Sequence, residues 1–153
     1  MKTVIQRASG ASVTLKDTSE KRDIASGLVV LVAIGSNDTE KDALWLSEKI
    51  LNLRIFPNEK GKFDKTVCDI HGDILVISQF TLYGDCLKGR RPDFALAARP
   101  EKAKPLYEYF AAQMKNSGLT VKTGEFAADM LVEIHNDGPV TLTVDSEDKN
   151  DIQ

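Results

Sequence analysis

The hydrophobic and polar positions divide the chain into alternating runs, two unbroken apolar runs and two helical stripes. Thr3–Ala8 reads as a first strand. Ala11, Val13 and Leu15 alternate with Ser12 and Thr14, a period of two that predicts a half-buried strand. Lys16–Arg22 is polar and turn-like. Gly27–Ile34 is continuously aliphatic and ends at Gly35, as expected of a central strand buried on both faces. Asn37 and Glu40 stand three places apart before a helical stripe of Ala43, Leu46, Ile50 and Leu53, which predicts a helix over about Thr39–Leu53.

Arg54-Ile55-Phe56 reads as a short strand, and Pro57-Asn58-Glu59-Lys60-Gly61 as a turn. Asp73–Leu82 opens with Ile74-Leu75-Val76-Ile77 and predicts a second buried strand. Gly84–Pro92 is an irregular basic loop. A helix is expected around Phe94–Ala98, stopping before Pro100. Another starts near Pro105, with Leu106, Phe110 and Met114 facing inward and Gly118 closing it. Leu119–Thr123 and Met130–His135 alternate as strands. Asn136-Asp137-Gly138-Pro139 is turn chemistry, and Val140, Leu142 and Val144 resume the alternation. The order departs from regular βαβ alternation. It predicts an α+β fold: a single domain over 1–146 with a mostly antiparallel, barrel-like β-sheet and flanking helices, followed by an acidic tail over 147–153.

Composition narrows the classes of function. The longest apolar stretch, Leu28–Ile34, has seven residues, against roughly 20 for a bilayer span, and the first seven residues contain no apolar signal core. Neither a membrane nor a secreted setting is expected, and Cys68 and Cys86 suit a reducing cytoplasm. His71 and His135, far apart and outside any CxxC or HxxxH spacing, give no basis for a metal site. No cofactor is expected. The net charge is −3, and Asp145–Gln153 carries −3 by itself. Lys88–Lys104 carries +4, which suits either a solvated loop or a patch that meets a polyanion.

Three segments could carry chemistry. Ser78-Gln79-Phe80-Thr81-Leu82 places a polar cluster at the end of an apolar strand. At period two, Gln79 and Thr81 share one face and Ser78 and Phe80 the other. It is either a strand emerging into solvent or a site where hydroxyls and amides face a carbonyl. Asn136-Asp137-Gly138-Pro139-Val140-Thr141 reads as a hairpin turn, in which Gly138-Pro139 is able to take a cis peptide. Lys88-Gly89-Arg90-Arg91-Pro92 is a loop able to clamp phosphates. No Gly-x-Ser-x-Gly elbow occurs, so a serine triad finds little support.

Together the Ser78–Leu82 and Asn136–Thr141 motifs resemble those of the D-aminoacyl-tRNA deacylases. Val4–Arg7, Leu53–Phe56, Gly72–Val76 and Lys88–Phe94 resemble further family segments in the same order, from residue 4 to about residue 144. Phe63 departs from the family's usual methionine, and Asp93 from a common serine.

The resemblance implies hydrolysis of the ester joining a D-amino acid, or glycine mischarged on tRNA-Ala, to the terminal ribose of tRNA. It also implies a homodimer with its site at the subunit interface. Gly138-Pro139, as a cis peptide held by Arg7, would enter the partner's pocket and leave no room for an L side chain. Ser78, Gln79, Phe80 and Thr81 would line that pocket. Amides near Phe80 and Thr81 would form an oxyanion hole, with some assistance implied from the ribose hydroxyl. Thr81 has no visible activating base, which favours a positioning role. Lys88, Arg90 and Arg91 would meet tRNA; no DNA or membrane partner is expected. A small-substrate esterase using Thr81 or Ser78, and a non-catalytic RNA-binding module, are the alternatives.

Overall fold

The computed structural model describes residues 1–151, so Ile152 and Gln153 of the acidic tail expected over 147–153 lie outside the described residues. The chain runs β1 (Lys2–Leu15), β2 (Lys21–Ile24), β3 (Gly27–Ala33), α1 (Glu40–Leu51), β4 (Phe56–Pro57), β5 (Phe63–Lys65) and β6 (Asp73–Ser78). A 3-10 turn (Phe80–Tyr83), α2 (Pro100–Lys115), β7 (Val121–Thr123), β8 (Met130–Asp145) and a closing 3-10 segment (Ser146–Asp151) follow.

β1 is the spine of the sheet. It pairs antiparallel with β8 on one edge and with β2 and β3 on the other. Thr14↔Lys21 and Ala8↔Gly27 keep one register, so β2 and β3 form a single interrupted ladder along β1. β6 pairs parallel to β3, and β7 parallel to β6. The sheet is therefore mixed and nearly closed into a barrel. Across the remaining gap, Arg22 Nη1 donates to the Thr123 carbonyl at 2.8 Å.

Side chains alternate across β3 and β6 as the period of two requires. Leu28, Val30, Val32, Ile74 and Val76 pack outward with Leu46, Ile50, Phe110 and Met114 of the helices. Val29, Leu75 and Ile77 join Val13 and Ile24 on the opposite face. Both strands are thus buried on both faces. Completely buried Phe110 and Met114 stabilise the helix–sheet layer by roughly 2 kcal/mol each. The Tyr107 hydroxyl donates to the Val76 carbonyl at 3.0 Å, and burial pushes that phenol up to about 12.

Several sequence expectations are corrected. β1 is one 14-residue strand, not two, and Lys21 and Arg22, at the end of the stretch read as turn, open the strand Lys21–Ile24. β6 ends at Ser78, short of Leu82, because the chain folds into the 3-10 turn. Phe94–Ala98 is not helical. A single α2 starts at Pro100, in the first turn where a missing N–H is harmless, and carries Pro105 inside it. Asn136–Pro139 is no hairpin turn, since both halves of β8 run along β1 in the same direction. Between Ala8↔Asn136 and Gln6↔Thr141, two steps of β1 face five of β8, so the segment bulges out of a continuous strand.

Candidate active site

The Phe80–Tyr83 turn is fixed from below. The Tyr83 hydroxyl donates to Asp38 Oδ2 at 3.4 Å, and Asp38 Oδ1 accepts from the Met1 amine at 2.6 Å. A side chain at Gly35 would stand 2.6 Å from the Tyr83 hydroxyl, so only glycine lets the turn approach β3 this closely. Burial and the Asp38, Asp145 and Glu147 carboxylates push the Tyr83 phenol well above its usual range, which keeps it neutral and donating. Gln79 N donates to the Val32 carbonyl at 2.8 Å, tying the turn to β3. On the outer side Phe80 packs edge-on against Phe94, with ring centroids 5.1 Å apart.

Ser78 and Gln79 are half-buried, and Phe80 and Thr81 are exposed. The Gln79 side-chain amide donates to the Thr81 hydroxyl oxygen, although the two residues no longer share a strand face. No imidazole, amine or carboxylate bonds that hydroxyl among the described residues. The main-chain amides of Phe80 and Thr81 open the turn and have no acceptor among the described residues. They are donors free to meet an oxyanion.

Beside this turn lies a cavity of about 530 Å³. Ser78, Gln79 and Phe80 form one wall, and Phe126, Ala127 and Met130 another. The second wall escaped sequence reasoning. Its one backbone irregularity, Ala127 at φ +63°, leaves no mark in the residue types. Thr81, Arg7, Gly138 and Pro139 do not line the cavity.

Gly138-Pro139 sits in the β8 bulge, and its peptide is cis. Asn136 closes the neck of the bulge: Nδ2 donates to Thr141 Oγ1 at 2.8 Å, and Oδ1 accepts from Val140 N at 2.9 Å. Arg7 holds the body of the bulge, with Nε donating to the Asp137 carbonyl at 2.9 Å and Nη1 to the Ile55 carbonyl at 2.8 Å.

Lys88, Arg90 and Arg91 project from a loop that starts directly after the turn. Asp85 and Asp93 close its base by paired main-chain bonds of 2.8 and 2.9 Å. Among the described residues none of the three cations has a carboxylate within 4.0 Å.

The nearly closed mixed sheet, the amide-bearing turn and the bulged long strand define a class of small single-domain proteins, and similar proteins name it. Residues 4–145 match the family model D-Tyr-tRNA(Tyr) deacylase. A protein of Thermosipho melanesiensis named D-aminoacyl-tRNA deacylase is 53% identical over 147 residues, covering 95% of this chain and 97% of its own. One of Solibacter usitatus with the same name is 51% identical over 150 residues, covering 98% and 99%. The solved c-Myc DNA Unwinding Element Binding Protein superposes with a TM-score of 0.87 at 43% identity, covering 95% of this chain and 98% of its own. A structure described as a probable eukaryotic D-amino acid tRNA deacylase gives 0.83 at 16% identity over 94% and 98%, a likeness of fold. The chain belongs to the D-Tyr-tRNA(Tyr) deacylase family.

Proposed function

We propose that this protein is a D-aminoacyl-tRNA deacylase that hydrolyses the ester between a D-amino acid and the terminal ribose of tRNA, acting in the cytoplasm. The observation that carries the reading is the pair of amides at Phe80 and Thr81 with no acceptor among the described residues, on the segment that walls the cavity, in a chain of this family. An aminoacyl ester is already activated, so placing a water and stabilising the developing oxyanion supplies much of what the reaction needs. Thr81, whose oxygen accepts from Gln79 and meets no base among the described residues, positions the substrate. The apolar wall of Phe126 and Met130 suits the flat face of a terminal base, and the Lys88–Arg91 loop suits the phosphates behind it.

Stereochemical choice belongs to Gly138-Pro139. The cavity of one chain lacks that bulge, so a second copy supplies it in a homodimer. Support comes from the apolar side chains left in the open, Phe80 at 55% and Leu131 at 54% exposure, and from the outer edge of β8, which is unpaired among the described residues. The main-chain oxygens of the bulge, rigidly held, reject an L side chain whatever its identity, while D residues and glycine pass.

The test is release of D-tyrosine from D-tyrosyl-tRNA across a dilution series, with molar mass followed by light scattering. The reading expects release that tracks a species of twice 16.8 kDa. An absence of release overturns the activity; full activity in a monomer overturns the shared site.

A further inference from the structure

Phe63 is a large apolar residue left 57% exposed on an otherwise well-fastened hairpin. β4 and β5 pair through Pro57↔Phe63, and Asn58 N donates to the Lys62 carbonyl at 2.8 Å. Asn58 Oδ1 accepts from Lys60 N at 2.9 Å and Lys62 N at 3.1 Å. Arg54 Nε donates to the Asp64 carbonyl at 2.6 Å and its guanidinium pairs with the Asp64 carboxylate. The residue after Phe63 is thus anchored, and so is the direction in which the ring is presented.

That direction is over Arg7, whose Cζ lies 5.6 Å from the ring centroid. The Arg7 side chain is only 10% exposed, and its one carboxylate within 4.0 Å among the described residues is Asp137 Oδ2 at 3.9 Å, itself 62% exposed. Nε and Nη1 are bound by main-chain carbonyls, which satisfy donors but add no charge to the long, exposed pair with Asp137. Nη2 would stand 3.0 Å from a Cβ at Gly138, so the same guanidinium touches the bulge. A ring face within about 6 Å attracts such a cation.

We infer that Phe63 is a positioning residue for the Gly138-Pro139 bulge, acting through Arg7: the ring holds the guanidinium that holds the Asp137 carbonyl. This rests on the reading of the bulge as the stereochemical filter.

The experiment compares wild type with Phe63→Ala, Phe63→Leu, Phe63→Tyr and Gly138→Ala. It measures kcat/KM on D- and L-tyrosyl-tRNA and the solvent exchange of the Arg7 Nε–H by NMR. Phe63→Ala and Phe63→Leu should lower the D-over-L ratio roughly threefold to tenfold and speed that exchange; Phe63→Tyr should restore both. An unchanged ratio and exchange in Phe63→Ala would overturn the inference. So would restoration by leucine as complete as by tyrosine, since leucine covers the cation without a ring face. Gly138→Ala separates the two levels: if it changes the ratio and Phe63→Ala does not, only the role of Phe63 fails. If neither does, the filter reading fails as well. Phe63 is exposed, so its variants are expected to fold.

Discussion

Arg7 Nε donates to the main-chain oxygen of Asp137 at 2.9 Å, so a residue of the first strand grips the chain one position before Gly138. With Nη1 on the Ile55 carbonyl, the grip ties the β8 bulge to two other parts of the fold. On the proposed reading, this grip is what keeps the oxygens of the bulge in place against a substrate.

Gly138 has φ +133°, and a Cβ there would meet Val140 Cγ2 at 2.8 Å and Arg7 Nη2 at 3.0 Å. Gly138→Ala is therefore expected to displace the bulge and lower the D-over-L ratio of kcat/KM by about tenfold or more. Steady-state deacylation of matched D- and L-tyrosyl-tRNA measures it. Retention of both rate and ratio would contradict a steric filter here.

If Thr81 only orients the substrate, Thr81→Ala is expected to slow deacylation by roughly tenfold or less. A nucleophile's loss would cost many orders of magnitude. Single-turnover kinetics decide the size. An acyl group found on Thr81 by mass spectrometry would reverse the assignment.

Replacing Lys88, Arg90 and Arg91 together by glutamine is expected to weaken tRNA binding and to flatten its salt dependence by a slope of about 2–3. Binding across a salt series, with duplex DNA as competitor, checks this. An unchanged slope would make the loop a solvated one, and equal competition by DNA would contradict RNA as its partner.

Asp42, in the first turn of α1, accepts from the Thr39 amide and hydroxyl at 2.8 Å each and pairs with Lys149. Burial by itself raises its carboxyl, but hydrogen bonds from Lys149 and Thr39 outweigh that and hold it well below the usual carboxylate range. A depressed folded pKa stabilises the fold fully above the unfolded value of about 4, and the contribution is lost as pH falls toward the folded value. Asp42→Ala should thus cost about 1 kcal/mol at pH 7 and less near pH 3. Urea unfolding at the two pH values tests this; a loss independent of pH would contradict it.

β3 and β6 were legible because unbroken aliphatic runs allow little but a strand buried on both faces. The Ser78–Leu82 and Asn136–Thr141 motifs were legible through their residues. What they form was less so. Asn136-Asp137-Gly138-Pro139 has the chemistry of a hairpin, but Thr141–Asp145 pairs with the same strand as Met130–Asn136, so the pairing of β1 overrides the local turn signal. Lys21 and Arg22 carry no strand pattern because they are polar and not buried; pairing with Thr14 and Val13 of β1 makes them strand. Pro105 looked like a helix start because proline in a helix interior costs about 3 kcal/mol. Burial of Leu106, Tyr107 and Phe110 just beyond it offsets that cost. The Phe126–Met130 wall meets the Ser78–Phe80 wall only after the sheet curls, a distance in sequence that no local pattern spans.

The proposed site hydrolyses D-aminoacyl esters of tRNA and is closed to L by backbone shape alone. The most direct measurement charges one tRNA with D-tyrosine, L-tyrosine or glycine and compares kcat/KM for release by the wild-type protein. Rapid release of D-tyrosine and glycine and little of L-tyrosine is expected. Release of L-tyrosine at a rate comparable to D-tyrosine, or rejection of glycine together with L-tyrosine, would contradict it.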